Sequence, residues 1–229
     1  MANYKVEKLT GQMLLFGLLG KLLYMSPDKE WIQHLLDDDV FSEVPFGEDQ
    51  EDVVQGLNYI QDWISTNLSK NPASAIASLE EDYLRLFIGA GKVLAPPWES
   101  VYFTDDRSMF SEETLQVRNC YRKYGLQIEH LYHEPDDHIG LELSFLAHLA
   151  QLAVQALEQE GSAELIQLLH DQQAFLTEHP LRWSTTWCEL VLQHARTDFY
   201  RGIALLINGA LKASDEFITE ALSQLPQEI

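Results

Sequence analysis

Apolar residues recur at three- and four-residue steps along the first part of the chain, which is the spacing of one buried helix face. Four helices are predicted there, over about 6–24, 27–36, 48–68 and 73–88. The second is predicted to begin at Ser26-Pro27-Asp28, with a cap followed by proline at the first helical position. Asn71-Pro72 is predicted to end the third helix.

The later part of the chain shows the same helical spacing. One helix is predicted over about 112–124 and ends at Gly125, a residue suited to a helix C-terminus. A longer helix is predicted to open at Glu134-Pro135 and to end at Gly161. Its apolar positions alternate in steps of four and three: Ile139, Leu143, Leu146, Ala150, Ala153 and Leu157. Further helices are predicted over about 162–175, from Trp183, over 198–212 and, as a short tail, after Ser214.

No convincing strand pattern occurs, so the chain is predicted to be all-α, with about ten helices in one globular domain over 1–229. The helical pattern stops at 89–104, a segment that contains Gly89, Gly91, Pro96 and Pro97. Its 16 residues exceed the usual connection in a compact domain, and such loops tend to be functional. This long irregular segment is predicted to act as a hinge, and any sub-division of the domain is expected near 89–133.

The charge balance limits the partners. Lys and Arg total 15 against 36 Asp and Glu, which gives a formal net charge of −21. Such a surface repels phosphate backbones and anionic lipid, so we expect no nucleic-acid binding and no stable membrane insertion. It attracts a cationic partner and speeds the encounter.

Cysteine usage and the absence of targeting patterns indicate a cytoplasmic protein. Cys120 and Cys188 do not form a CxxC or zinc spacing, and both lie in helical patterns where buried free thiols are the default. No secretory signal is visible, and no run approaches the roughly 18 apolar residues of a membrane span.

Catalytic motifs are weak in this sequence. Gly89-Ala90-Gly91-Lys92 follows a predicted helix and lacks the spacing of a phosphate-binding loop, and no GxSxG motif occurs. A histidine- and carboxylate-rich cluster leaves one enzymatic alternative open, a metal-dependent or acid–base hydrolase. That alternative would use His130, His133, Asp137 and His138, with Glu134 and Asp136 nearby.

Two other features favour peptide binding. Aromatic, apolar and proline residues gather at the end of the fourth predicted helix and in the segment after it: Tyr83, Leu86, Phe87, Leu94, Pro96, Pro97, Trp98, Val101 and Tyr102. Such residues form apolar grooves, although the first three have spacing that is usually core. The block 134–138 adds carboxylates at a predicted helix start and His138, which can titrate near neutral pH. Together they suit a peptide with an apolar segment beside a basic one.

This combination resembles a known family. The run 83–89, the run Pro96-Pro97-Trp98-Glu99-Ser100-Val101-Tyr102, the block Glu134-Pro135-Asp136-Asp137-His138 and a closing Asp198-Phe199-Tyr200-Arg201 are similar to the TorD/DmsD family of cytoplasmic redox-enzyme maturation chaperones. The likeness covers about residues 10–212. Some relatives carry tryptophan where this chain has Tyr83.

The resemblance implies an all-helical chaperone, not an enzyme, that binds the twin-arginine leader of a molybdopterin-dependent reductase and holds the precursor until its cofactor is inserted. It also implies a monomer or a domain-swapped dimer. Some members are linked to guanine nucleotide, but no cofactor is expected here. The family's leader-binding positions correspond to Tyr83, Leu86, Phe87, Pro97, Trp98, Glu134, Pro135, Asp137 and His138.

The chemistry of these residues is compatible with a twin-arginine leader. Arginine forms charge-assisted bonds with carboxylates, which Glu134 and Asp137 can supply. Trp98, Leu86 and Phe87 can cover the apolar part of a leader. A helical adaptor that binds any amphipathic helix is a further alternative, and it would be indifferent to the leader arginines.

Overall fold

A computed structural model describes residues 2–68, 70–89, 92–104, 109–128 and 134–224. Within these residues the chain forms nine α-helices, one π-helix and one 3₁₀ helix, with no strand. The first half contains α1 (Ala2–Tyr24), α2 (Lys29–Asp37), α3 (Glu51–Asn67), α4 (Pro72–Tyr83), the π-helix (Leu84–Ile88) and the 3₁₀ helix (Glu99–Tyr102). The second half contains α5 (Glu112–Lys123), α6 (Ile139–Glu158), α7 (Ser162–Glu178), α8 (Pro180–His194) and α9 (Asp198–Ser223). The prediction of an all-α fold is confirmed.

Two helix pairs with close backbones form the centre of the fold. Helix α1 packs along α6, and α3 packs along α9, with α7 and α8 also against α9. Glycine permits both approaches: a Cβ added to Gly20 would lie 2.8 Å from the Gly140 carbonyl oxygen, and one added to Gly56 would lie 2.7 Å from that of Gly202. Because neither position has room for a side chain, these glycines fix the distance between the paired helices.

Helix α6 is the core helix nearest to the predicted block. It is long and apolar enough to cross a membrane by length and composition alone. Most of it is buried inside the protein, however, and it packs against α1 and α7. The apolar character of α6 is therefore explained by its place in the core.

Helix starts account for several differences from the predicted boundaries. Asp28, not Ser26, caps α2, since its carboxylate accepts from the Trp31 N–H at 2.8 Å. Asn71 caps α4 with Pro72 in its first turn, so this pair opens a helix as well as separating it from α3. Pro180 likewise lies in the first turn of α8, which starts before the predicted Trp183.

Two long helices differ more clearly from prediction. Helix α6 begins at Ile139 and not at Glu134-Pro135, so the carboxylates of the block precede the helix. Helix α9 continues without interruption to Ser223, so the prediction of a helix ending near 212 with a separate tail was wrong. The reason is packing: Ala213, Ser214, Phe217 and Ile218 continue the buried face of α9 beyond residue 212.

Candidate functional site

The two predicted motifs lie side by side. Trp98 and His138 form an isolated antiparallel bridge, in which the Ile139 N–H donates to the Pro97 carbonyl at 2.8 Å and the Glu99 N–H donates to the Asp137 carbonyl at 2.9 Å. The rings of Trp98 and His138 meet edge to face with their centroids 5.8 Å apart. The proline-tryptophan motif and the block at 134–138 are therefore one structural unit.

Asp137 is the link between this unit and α5. Its carboxylate is fully buried and accepts from the Ser100 N–H at 2.7 Å and from the Thr114 hydroxyl at 2.8 Å. Each oxygen thus has a donor from the chain itself. In this structure the carboxylate positions the 3₁₀ helix and α5 and presents no open face to a ligand.

Asp136 is held by an arginine that the sequence analysis did not single out. Nε and one terminal nitrogen of Arg118 lie 2.9 and 2.7 Å from the same Asp136 oxygen, and both side chains are buried. The Tyr121 hydroxyl donates to the Asp136 carbonyl at 3.1 Å. The sequence signal that could have revealed this pair is a basic residue on the apolar face of α5, because a buried arginine is almost always paired with an acidic group.

His138 caps α6 and stays neutral. Its Nδ1 accepts from the Gly140 N–H at 3.0 Å, so the ring proton lies on Nε2. Complete burial lowers the pKa of His138 to about 3, which makes the prediction of titration near neutral pH wrong. The ring also meets Tyr24 edge to face, with 5.4 Å between centroids.

The residues predicted on the fourth helix lie in the core. Tyr83 donates its hydroxyl to the Leu23 carbonyl at 2.9 Å, and burial raises its pKa to about 12. Phe87 stacks on Trp187 with 6.0 Å between ring centroids, and Leu86 is fully buried. These three residues are therefore part of the core and do not line an open trough.

The nine predicted binding residues therefore differ in exposure. Only Trp98 and Glu134 among them are partly exposed. The other seven are buried: Tyr83, Leu86, Phe87, Pro97, Pro135, Asp137 and His138. The structure brings the two motifs together, and a role of these residues in peptide binding stays a prediction.

A cavity of about 360 Å³ adjoins the block. It is mainly apolar and is lined by Tyr24, Tyr121, Leu126, Gln127, Ile128, Leu141, Ser144, Phe145 and His148. Two of its residues contact the block directly, Tyr24 through the ring of His138 and Tyr121 through the carbonyl of Asp136. The sequence analysis missed this cavity because its lining comes from three separate parts of the chain.

A larger cavity lies elsewhere, between α1, the 42–49 loop and α3. Its volume is about 810 Å³. Its lining combines acidic and apolar residues: Glu7, Lys8, Ser42, Glu43, Val44, Pro45, Glu48, Asp49, Val53, Val54, Leu57 and Asn58. It shares no residue with the two motifs, so it is a separate candidate binding surface and not an extension of the site.

Two buried glutamates, Glu99 of the 3₁₀ helix and Glu142 of α6, form an acidic group with His179 close by. Glu99 and Glu142 are both fully buried, and Glu99 Oε2 lies 2.9 Å from His179 Nδ1. Burial raises the pKa of Glu142 well above its usual range, and the charges of Glu99 and Asp137 raise it further. Burial alone lowers the pKa of His179, but interactions with Cys120 and Glu99 raise it to about 9. The available sequence signal was Glu142, an acidic residue among the apolar positions of α6.

The residues of the enzymatic alternative do not assemble a site in the described residues. His130 and His133 lie outside them, whereas Asp137 and His138 are buried and hydrogen-bonded to the chain. In the part of the chain that the structure describes, no three His, Cys, Asp or Glu side chains are placed to hold a metal ion. The hydrolase alternative has no support.

Comparison with known proteins identifies the family. The model of the nitrate reductase delta subunit family matches residues 47–189. The chain belongs to this family. TorD of Vibrio cholerae serotype O1 (strain O395), named as a chaperone, is 28% identical over 172 residues, 75% of this chain and 72% of that protein. DmsD of Salmonella typhimurium, named as a Tat proofreading chaperone, is 29% identical over 193 residues, 82% and 81% of the two chains.

A solved structure agrees in fold. A proposed redox enzyme maturation protein from Archaeoglobus fulgidus superposes with a TM-score of 0.50 at 18% identity, covering 88% of this chain and 93% of that one. The resemblance to the TorD/DmsD family is confirmed. Since these relatives are named as chaperones, the protein is a chaperone and not an enzyme.

Proposed function

We propose that the protein is a cytoplasmic chaperone that binds the twin-arginine signal peptide of a molybdopterin-dependent oxidoreductase and assists its maturation before export. The names of its relatives and of its family support this client class. The observation that carries the proposal is the Trp98–His138 bridge, which unites an aromatic motif with a carboxylate-bearing block.

The proposed site has two parts that match the two parts of a leader. Glu134 is partly exposed and offers a carboxylate to an arginine. Trp98 and the 360 Å³ cavity beside His138 offer apolar and aromatic surface for the stretch that follows the arginines. Of the buried residues of the predicted set, Pro97, Asp137 and His138 hold Trp98 in place through the antiparallel bridge.

The charge of the whole protein supports the same client. A formal net charge of −21 attracts a basic leader over distances of about a Debye length, which is about 8 Å at physiological salt. Steering of this kind raises the association rate and falls with ionic strength. It does not select arginine over lysine, so selection depends on carboxylate geometry at the site.

Isothermal titration with synthetic leaders tests the proposal. One peptide carries two adjacent arginines before an apolar stretch, and the second carries two lysines at the same positions. The arginine peptide is expected to bind at about micromolar affinity, at least 10-fold tighter than the lysine peptide. The reason is that guanidinium pairs bidentately with carboxylate, whereas ammonium does not. Trp98→Ala and Glu134→Gln should each weaken binding, while Glu158→Gln on the exposed end of α6 serves as the charge-matched control. Equal affinity for the two peptides contradicts the proposal and favours a general helical adaptor.

A further inference from the structure

Two adjoining cavities form a groove along α1, away from the two motifs. One is the 810 Å³ cavity, and the other has a volume of about 450 Å³. Both are lined by residues 42–45, and neither includes a residue of the two motifs. Their α1 residues run from Glu7 to Leu18, which is about 16 Å of helix at 1.5 Å per residue. We call these two cavities together the α1 groove.

Apolar side chains in the α1 groove are open to solvent. Leu14 is 54% exposed and Val54 is 49% exposed, and they belong to the 450 Å³ and the 810 Å³ cavity respectively. Pro45 is also exposed, while Val44 and Leu57 are half-buried. Apolar residues gathered in a concave surface, rather than scattered singly, are typical of an interaction site.

The same lining carries acidic residues whose charge is not balanced. Exposed carboxylates come from all three parts of the lining: Glu7, Asp39, Glu43, Glu48 and Asp49. The one basic lining residue is Lys8, which pairs with Glu48 at 2.6 Å. In the part of the chain that the structure describes, the other four carboxylates have no ion-pair partner. A cationic ligand therefore gains attraction here without displacing a cation of the protein.

The loop that separates the two cavities is held at both ends. Phe41 and Phe46 are buried, and each meets a phenylalanine of α9 edge to face, with 5.6 and 6.3 Å between ring centroids. From α3, the Gln61 amide donates to the carbonyls of Phe41 and Ser42 at 3.0 and 2.9 Å. The exposed residues between the two rings are thus fixed in position. A partner binds to a groove that already exists and does not have to order the loop.

We propose that the α1 groove binds a basic amphipathic α-helix of a partner protein. Each of the two cavities combines apolar and acidic residues, so the ligand has to present apolar and basic side chains together along its whole length. An amphipathic helix does so, because its two kinds of side chain lie on different faces of the same turns. It also satisfies its own backbone hydrogen bonds, and no strand edge is present among the described residues to pair with an extended peptide. A length of 16 Å accepts about three helical turns.

Other occupants fit the α1 groove less well. A twin-arginine leader carries its basic pair before its apolar stretch, so the two kinds of residue follow one another instead of lying side by side. A second copy of this chain brings a formal net charge of −21 to a surface that is already acidic. Anionic lipid is repelled for the same reason.

A model peptide of leucine and lysine tests the proposal by fluorescence anisotropy. It is about 14 residues long and carries leucine at i, i+3, i+4 and i+7 spacing, and a second peptide has the same composition in scrambled order. The patterned peptide is expected to bind at least 10-fold tighter, because only its leucines reach the apolar lining together. Equal affinities would show attraction by net charge alone and would overturn the proposal.

Substitutions in the groove locate the binding. Val54→Lys is expected to weaken binding of the patterned peptide at least fivefold, and Leu115→Lys on α5, at a similarly exposed leucine, is its charge-matched control. The triple change Glu7→Gln, Glu43→Gln and Asp49→Asn should weaken it at least fivefold as well. Its control removes three exposed carboxylates elsewhere, with Glu158→Gln, Glu160→Gln and Glu164→Gln. Circular dichroism checks that each variant is folded, and equal losses in groove and control variants overturn the proposal.

Competition separates this site from the proposed leader site. An unlabelled twin-arginine leader should not displace the patterned peptide, and Trp98→Ala should bind that peptide as the wild type does. If the leader displaces it and Val54→Lys weakens leader binding equally, the groove is the leader site and the proposal is wrong. If the patterned peptide binds as predicted but no leader binds, the proposed function fails and the groove stands. Sedimentation velocity covers the remaining occupant, since a dimer that Val54→Lys dissociates would assign the groove to a second copy and overturn the proposal.

Discussion

Trp98 and His138 are joined through the backbone bonds on either side of them and through an edge-to-face ring contact at 5.8 Å between centroids. Their bridge links a segment that follows the π-helix to the residue that caps α6. Each motif is thus positioned by the other, and a change that loosens one is expected to displace both. The site can therefore be tested by changing the buried residues that position it as well as its exposed residues.

Asp137 is predicted to act through structure and not through direct contact with a ligand. Asp137→Ala leaves the Ser100 N–H and the Thr114 hydroxyl buried without their acceptor, at about 1–3 kcal/mol each. We expect a loss of about 2–5 kcal/mol in the free energy of unfolding, measured by urea denaturation, together with weaker leader binding. Thr114→Val should reproduce part of the loss. An Asp137→Ala variant of wild-type stability that has lost binding would instead indicate direct contact.

The Arg118–Asp136 pair is predicted to be a strong determinant of stability. Arg118→Ala leaves a carboxylate buried without its cation, and breaking such a pair costs about 3–5 kcal/mol. The double change Arg118→Met with Asp136→Asn should cost less, because no charge stays buried. Lys123→Ala, in the same helix, removes an exposed cation from Asp171 and should change stability by less than about 1 kcal/mol. Similar losses for Arg118→Ala and Lys123→Ala in urea denaturation would contradict the buried pair.

His138 is predicted to contribute to acid sensitivity. The pKa is about 3 in the folded state against 6.5 for an ordinary histidine, so the unfolded chain takes up a proton that the folded chain does not as pH falls below 6.5. Stability is therefore lost on acidification, by about 2 kcal/mol at pH 5 from this residue. His138→Asn keeps a capping side chain and removes the titration. Its stability should fall less than that of the wild type between pH 7.5 and pH 5, and parallel pH profiles would disprove this role.

The α1 side of the contact with α6 is predicted to tolerate an added methyl group at Gly17 but not at Gly20. A Cβ on Gly20 would lie 2.6 Å from Ser144 Oγ and 2.8 Å from the Gly140 carbonyl oxygen, whereas one on Gly17 would lie 4.0 Å from the Ala147 Cβ. Gly20→Ala should cost about 1–3 kcal/mol by overpacking. Gly17→Ala should be neutral or stabilise by up to about 1 kcal/mol through helix propensity. Thermal unfolding of the two variants checks both signs, and equal melting temperatures would contradict the packing.

The sequence predicted the helices well because apolar periodicity reports the face that each helix buries. It misplaced the start of α6, since Pro135 suits a helix start as well as a turn before one. It also could not separate a groove from a core at Tyr83, Leu86 and Phe87, because both need apolar residues at helical spacing. The structure shows that they belong to the core, because Tyr83 is hydrogen-bonded to Leu23 of α1 and Phe87 stacks on Trp187 of α8.

The interior polar contacts were the least predictable part of the site. Glu99 meets His179 and Asp136 meets Arg118 only because distant segments fold together. Sequence spacing carries no information on such pairs. The sequence did contain the two motifs themselves, the proline-tryptophan run and the block at 134–138. The structure places them in contact at Trp98 and His138.

Photo-crosslinking from the leader tests the central claim most directly. A twin-arginine peptide with a photoreactive residue directly after the arginine pair is irradiated with the wild-type protein, and the crosslinked fragments are mapped by mass spectrometry. We predict crosslinks to Trp98, to Glu134 or to the lining of the 360 Å³ cavity, for example Tyr24 and Phe145. Crosslinks confined to the 810 Å³ cavity between α1 and α3, at residues such as Val44 and Leu57, would contradict the account.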